Sequence, residues 1–221
     1  MTSLNLVLAH AVKLAVLATF AGVLARGRVR QCWAFPVYLL VVLVTNALGS
    51  FWPARFHTPE AWTVYQVAFD ALKMAIVLEL AWRSFAAFPG AMRSARVVLP
   101  VLLVVSTVTI AFFTPPSSYL TVWEYQPSVV AGTLWLLTAT ALLVVWYQIP
   151  VHDWQRAIML GFAPYLLVFV VALDMLRRHG WSSGASAGLL DQVAYLALIV
   201  FWAWAAWRRD SAGPVVLAKA A

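Results

Sequence analysis

The chain has 221 residues, 64% of them apolar and only 10% charged, with a mean hydropathy of +0.86. A soluble domain of this size carries about a quarter charged residues, so the composition excludes one and points to membrane helices. The net charge of +7 comes from basic residues gathered at the ends of apolar runs, which excludes a nucleic-acid footprint, and the single cysteine, Cys32, excludes an internal disulfide and a cysteine metal cluster.

Seven apolar stretches approach the ~20 residues that cross a bilayer. They cover residues 4–24, 34–52, 63–82, 97–113, 127–147, 155–176 and 189–207. The expected fold is all-α: a polytopic transmembrane bundle of seven helices over residues 1–210, with a short tail at 211–221. Six spans is the alternative, if the short fourth stretch, broken early by Pro100, is re-entrant. The first stretch lacks a basic leader, contains Lys13 and runs into Arg26, Arg28 and Arg30, so it reads as a retained helix.

Loop charges set the expected orientation. One set of loops and the tail holds ten basic residues, Arg26, Arg28, Arg30, Arg83, Arg93, Arg96, Arg156, Arg208, Arg209 and Lys219. The other set holds three, Arg55, Arg177 and Arg178. The positive-inside rule places the N-terminus outside and the C-terminus in the cytoplasm. Trp33, Trp82, Trp146, Trp154 and Trp207 then fall at inner ends, and Trp52, Trp62, Trp123 and Trp181 at outer ends, as interfacial belts. Between the spans, Thr114 to Gln126 reads as a turn-rich outer connection and Arg178 to Gly188 as a mobile Gly/Ser-rich loop. Asp153 reads as the N-cap of span six.

The third stretch is the unusual one. Asp70 and Lys73 lie in its middle, where an ionised group costs roughly 2.5–3.5 kcal/mol. Gln66, Asp70, Lys73 and Val77 share one helix stripe, so the charges face the bundle interior. Glu79 lies on about the opposite face and reads as half of an exposed i,i+4 pair with Arg83.

Depth follows from the helical rise. His10 and Lys13 lie roughly 9 and 13 Å below the outer end of span one, Asn46 roughly 9 Å below that of span two, and Asp70 roughly 12 Å below that of span three. Gln192 and Tyr195 fall in the first two turns of span seven. The polar residues thus concentrate in the outer half, and the inner half is aliphatic and aromatic. This pattern suggests a cavity open to the outside rather than a through-path. Its expected ligand-binding residues are Lys13, Asp70, Lys73, Asn46, Gln66, Gln192, Tyr195 and His10. At the deep level Lys13 and Lys73 face one anion, Asp70. Either Lys13 snorkels outward, or one lysine is neutral, or an anionic group binds. The bland reading of Asp70 and Lys73 is an i,i+3 pair that only locks packing.

Other motifs carry less. A lone His10 is no haem ligand, because that role needs an opposed pair. A rim metal site from His57 and His179 with Glu60, Asp174 or Asp191 is disfavoured. Asp174 reads as a surface partner of Arg177 and Arg178, and Asp191 as a first-turn charge. Gly180-Trp181-Ser182-Ser183-Gly184 spells a hydrolase string without its strand–turn–helix context or a downstream histidine. No cofactor or metal is expected.

Seven helices with the N-terminus outside is also the topology of rhodopsins and G-protein-coupled receptors. Span seven has no lysine for a retinal Schiff base, and the receptor motifs are missing. Phe35-Pro36-Val37-Tyr38-Leu39-Leu40, with Glu79-Leu80-Ala81-Trp82-Arg83-Ser84-Phe85 and Phe88-Pro89-Gly90, resembles uncharacterised bacterial seven-helix membrane proteins over spans two and three. That resemblance implies a bacterial inner membrane and no activity. The expected function is non-catalytic and receptor-like: a polar outward cavity for a small anionic or amphipathic molecule, a lipid headgroup or a partner helix. The alternatives are a proton- or ion-coupled transporter using Asp70, an intramembrane lipid hydrolase using Asp70 and His10, and a scaffold subunit of a larger membrane complex.

Overall fold

The computed structural model describes residues 3–56, 58–86, 101 and 119–209. These fold as seven α-helices: α1 (Ser3–Ala25), α2 (Ala34–Phe51), the single turn α3 (Pro53–Phe56), α4 (Pro59–Phe85), α5 (Tyr119–Trp146), α6 (Asp153–His179) and α7 (Gly184–Trp207). Short 3-10 turns, Arg28–Gln31 and Gly180–Ser183, precede α2 and α7. Five helices, α1, α2, α5, α6 and α7, are long and apolar enough to cross a membrane. The fourth, α4, is not among them; it carries Glu60, Asp70, Lys73, Glu79 and Arg83 along its 27 residues. The predicted span at 97–113, apart from Val101, and the tail at 211–221 lie outside the described residues, as does His57.

Several boundaries differ from expectation for local reasons. α4 starts four residues early because Thr58 caps it, accepting from Ala61 N–H at 3.2 Å, with Pro59 at the first helical position. α5 begins at Tyr119, so much of the expected outer connection is helical and Pro127 lies inside the helix. The stretch after Arg178 is folded, not a loose loop. Ser182 and Ser183 donate to the carbonyls of His179 and Gly180, at 2.6 and 2.9 Å, and α7 starts at Gly184. His152, not Asp153, is the N-cap of α6, with Gln155 Oε1 accepting from His152 N–H at 3.3 Å.

The six long helices close a ring, α1 against α2, then α4, α5, α6, α7 and back to α1. At the end where α2 begins and α7 finishes, the interior is solid. Phe35 meets Trp154 and Trp202 edge to face, at 5.1 and 4.7 Å, and Phe162 lies 5.5 Å from Trp202. Trp154 and Trp202 are fully buried, so Trp154 belongs to this core and not to an interfacial belt.

The same end is tied by basic side chains to the C-terminus of α7. Arg28 is 2% exposed and donates to the carbonyls of Ala205 and Arg208 at 2.8 and 2.6 Å, while Arg26 donates to Trp207 O at 3.2 Å. Both thereby meet orphan carbonyls at the negative end of a helix. The arginines that set the charge bias of this loop therefore have a second, structural job. The close contact of α6 with α7 depends on Gly161, where a Cβ would stand 2.9 Å from Leu198, Phe201 and Trp202 side-chain atoms.

Candidate functional site

At the other end the ring is hollow. A cavity of about 850 Å³ lies among the N-terminal halves of α1, α4 and α7, the C-terminal half of α2 and the middle of α6. It reaches from Lys73 to Phe56 and Thr58 in the connection between α2 and α4. Its volume falls within the roughly 300–1,000 Å³ usual for small-molecule sites.

The i,i+3 spacing of Asp70 and Lys73 brings them together at 2.9 Å on the buried face of α4. They are 8% and 5% exposed. The second carboxylate oxygen of Asp70 accepts from Gln126 Nε2 of α5 at 3.1 Å. Lys73 also lies over the Phe169 ring, 4.4 Å from its centre. Each charge thus has a partner that offsets part of its desolvation. Lys73 lines the cavity; Asp70 stands behind it and does not.

Five of the residues expected at the site do line it: Lys13, Asn46, Gln66, Lys73 and Tyr195. His10 and Gln192 are exposed and are not among the lining residues. Each is one position round its helix, about 100°, from a lining residue, Ala9 and Asp191 respectively. Lys13 does not join Lys73 at the deep end. Its ammonium reaches along α2 to Ser50 Oγ, at 2.9 Å, in the last turn of that helix.

The wall that sequence reasoning missed is made by α2, α6 and α7. Tyr38 and Tyr195 hydroxyls meet at 3.2 Å, and Tyr165 donates to Asp191 Oδ1 at 3.3 Å. The Tyr165 ring lies 5.5 Å from that of Tyr195 and stacks on Phe169 at 5.9 Å. Asp191 is not in the first turn of α7, which begins seven residues earlier, so its carboxylate is a cavity group and not a terminal charge. The count at the site is therefore two lysines against two aspartates. Tyr65, also lining the cavity, has a buried hydroxyl without a hydrogen-bond partner among the described residues.

Glu79 also differs from its reading as an exposed group. Its side chain is 8% exposed, and besides Arg83 at 2.7 Å it accepts from Trp33 N–H, Ala34 N–H and the Cys32 thiol. It caps α2 from a neighbouring helix. Asp174 does pair with Arg178 and Arg177 at the surface, at 2.6 and 3.9 Å. Among the described residues no three His, Cys, Asp or Glu side chains group as metal ligands.

Comparison with protein-family models, with curated proteins and with solved structures found no match.

Proposed function

We propose that the chain is a multi-pass inner-membrane protein with seven spans, residues 97–113 forming the one not described, whose cavity faces outward and binds a small molecule or lipid headgroup without transforming it. The observation that carries this reading is the cavity itself, about 850 Å³ and walled by Lys13, Lys73, Asp191 and four tyrosines. Ionised groups inside a membrane bundle are costly enough to mark a site. The orientation follows from ten basic loop residues against three. It puts the N-terminal ends of α1, α4 and α7, and so the cavity, on the non-cytoplasmic side.

Binding is favoured over catalysis because, among the described residues, the buried charge pair and the tyrosine–aspartate contact present no activated nucleophile. Lys73 sits on Asp70, and Tyr165 on Asp191. The transporter reading gains from Asp70 being buried in a span, but that carboxylate already holds Lys73 and Gln126 and does not line the cavity. A density map of the protein purified in native lipid tests the proposal, with density expected between Lys73 and Trp62. An empty or collapsed cavity there, together with Asp70→Asn and Lys73→Met variants that fold and bind as before, overturns it. Flux into liposomes that depends on pH and vanishes with Asp70→Asn establishes the transporter instead.

A further inference from the structure

Three charged side chains line the cavity and a fourth, Asp70, stands behind Lys73. Lys73 and Asp70 neutralise each other at 2.9 Å. What remains is one cation, Lys13, and one anion, Asp191. Neither has an ion-pair partner among the described residues. Lys13 leans toward α2 and donates to Ser50. Asp191 leans toward α6 and accepts a single neutral hydrogen bond of 3.3 Å from Tyr165. That bond, longer than the roughly 2.5–2.7 Å of a strong hydroxyl–carboxylate contact, leaves the carboxylate's charge unpaired among the described residues.

The rings beside Asp191 have the complementary preference. Tyr165 and Tyr195 lie 5.5 Å apart, and Lys73 shows over Phe169 that this wall receives an ammonium on a ring face. A second ammonium held between Asp191 and the tyrosine faces gains both the carboxylate and the rings. A ligand that is only cationic meets Lys13 uncompensated. One that is only anionic leaves Asp191, among the described residues, with no cation but Lys73, which Asp70 already holds. We infer that the cavity takes a dipolar ligand, a small molecule bearing an ammonium group toward Asp191, Tyr165 and Tyr195 and an anionic group toward Lys13. This rests on the reading of the cavity as a binding site. It also replaces the purely anionic ligand suggested when Asp191 is left out of the charge count. The buried Tyr65 hydroxyl, which has no partner among the described residues, supplies a further hydrogen bond to such a ligand. The shared chemistry has two sources, a free dipolar solute and the headgroup of a zwitterionic phospholipid.

The test uses the full chain in detergent and titrates four probes by calorimetry: glycerophosphocholine, its cationic half choline, its anionic half glycerophosphate, and dihexanoylphosphatidylcholine. Glycerophosphocholine is expected to bind at least about tenfold more tightly than either half. Asp191→Asn is expected to lose about tenfold for glycerophosphocholine and choline but not for glycerophosphate, and Lys13→Gln to lose about tenfold for glycerophosphocholine and glycerophosphate but not for choline. The comparison of probes on the unmodified chain needs neither variant to fold. Tighter binding of dihexanoylphosphatidylcholine assigns the lipid source and equal binding the free solute; both support the dipolar class. Choline or glycerophosphate binding as tightly as glycerophosphocholine overturns that class and leaves the cavity reading standing. Access is measured separately by labelling Asn46→Cys, in a Cys32→Ser background, with a charged thiol reagent. Labelling without binding of any probe overturns the ligand class alone. Neither labelling nor binding overturns the cavity reading as well.

Discussion

The Glu79 carboxylate of α4 accepts a 2.8 Å hydrogen bond from Ala34 N–H, the first residue of α2. Its other oxygen takes Trp33 N–H at 3.0 Å, so one side chain caps two orphan donors of a helix that supplies no cap of its own. Phe35-Pro36 and the end of α4 from Glu79 are thereby neighbours at one end of the bundle.

The loss of that cap has a definite size. Glu79→Ala leaves two helix-terminal N–H groups and Arg83 without their acceptor, and is expected to cost about 2–3 kcal/mol. Arg83→Ala removes a side chain that is 34% exposed, and is expected to cost under about 1 kcal/mol. Unfolding of both variants by SDS titration checks the order. Equal losses mean that the ion pair, and not the cap, is what Glu79 contributes.

How much of this was legible in the sequence depends on the range of the contact. The apolar runs gave the long helices because span length is a local property, and Asp70 with Lys73 was readable because i,i+3 is a local spacing. The partners that arrive from other helices were not. Gln126 reads as a loop residue because Pro127 reads as a helix start, whereas both lie inside α5. Asp191 reads as a terminal charge because the Gly/Ser composition before it hides a further turn and a half of helix. Tyr38 and Tyr165 lie in plain apolar runs, where nothing distinguishes a cavity tyrosine from a packing one. Glu79 reads as exposed because its i,i+4 spacing to Arg83 already satisfies it locally. Its other donors come from 45 to 47 residues away.

The buried pair predicts strongly non-additive mutants. Among the described residues, Lys73→Met leaves the Asp70 carboxylate with Gln126 alone, and Asp70→Asn leaves a buried ammonium with the Phe169 ring and no ion pair. Each is expected to destabilise by about 3–5 kcal/mol, whereas the double variant, which buries no charge, costs far less than the sum. A double-mutant cycle measured by SDS unfolding reads the coupling. Additive losses place these side chains in water, not in the bundle interior.

Two glycines separate packing from helix propensity. At Gly161 an added methyl meets three side chains at 2.9 Å, two of them, Leu198 and Trp202, in the core. Gly161→Ala is therefore expected to cost about 1–3 kcal/mol. At Gly132 of α5 the same methyl has no neighbour within 4 Å among the described residues, and Gly132→Ala is expected to stabilise by up to about 1 kcal/mol. Thermal unfolding of the two variants should move in opposite directions. A shift of the same sign in both argues against the close α6–α7 contact.

Cys32 gives the protein a pH dependence of predictable sign. Burial, and then the negative charge of Glu79, push its thiol well above the ordinary value of 9.0. The folded state therefore keeps a proton that the unfolded chain releases. Its contribution is fully present below pH 9 and falls as pH rises above it. Relative to Cys32→Ala, which has nothing to ionise, the native chain is expected to lose about 1.4 kcal/mol between pH 8 and pH 10. The comparison cancels the lysines and tyrosines common to both proteins. SDS unfolding midpoints at the two pH values supply the measurement. Parallel profiles would mean that the thiol ionises as readily in the folded protein as outside it, and hence that the Cys32–Glu79 contact is not sealed from water.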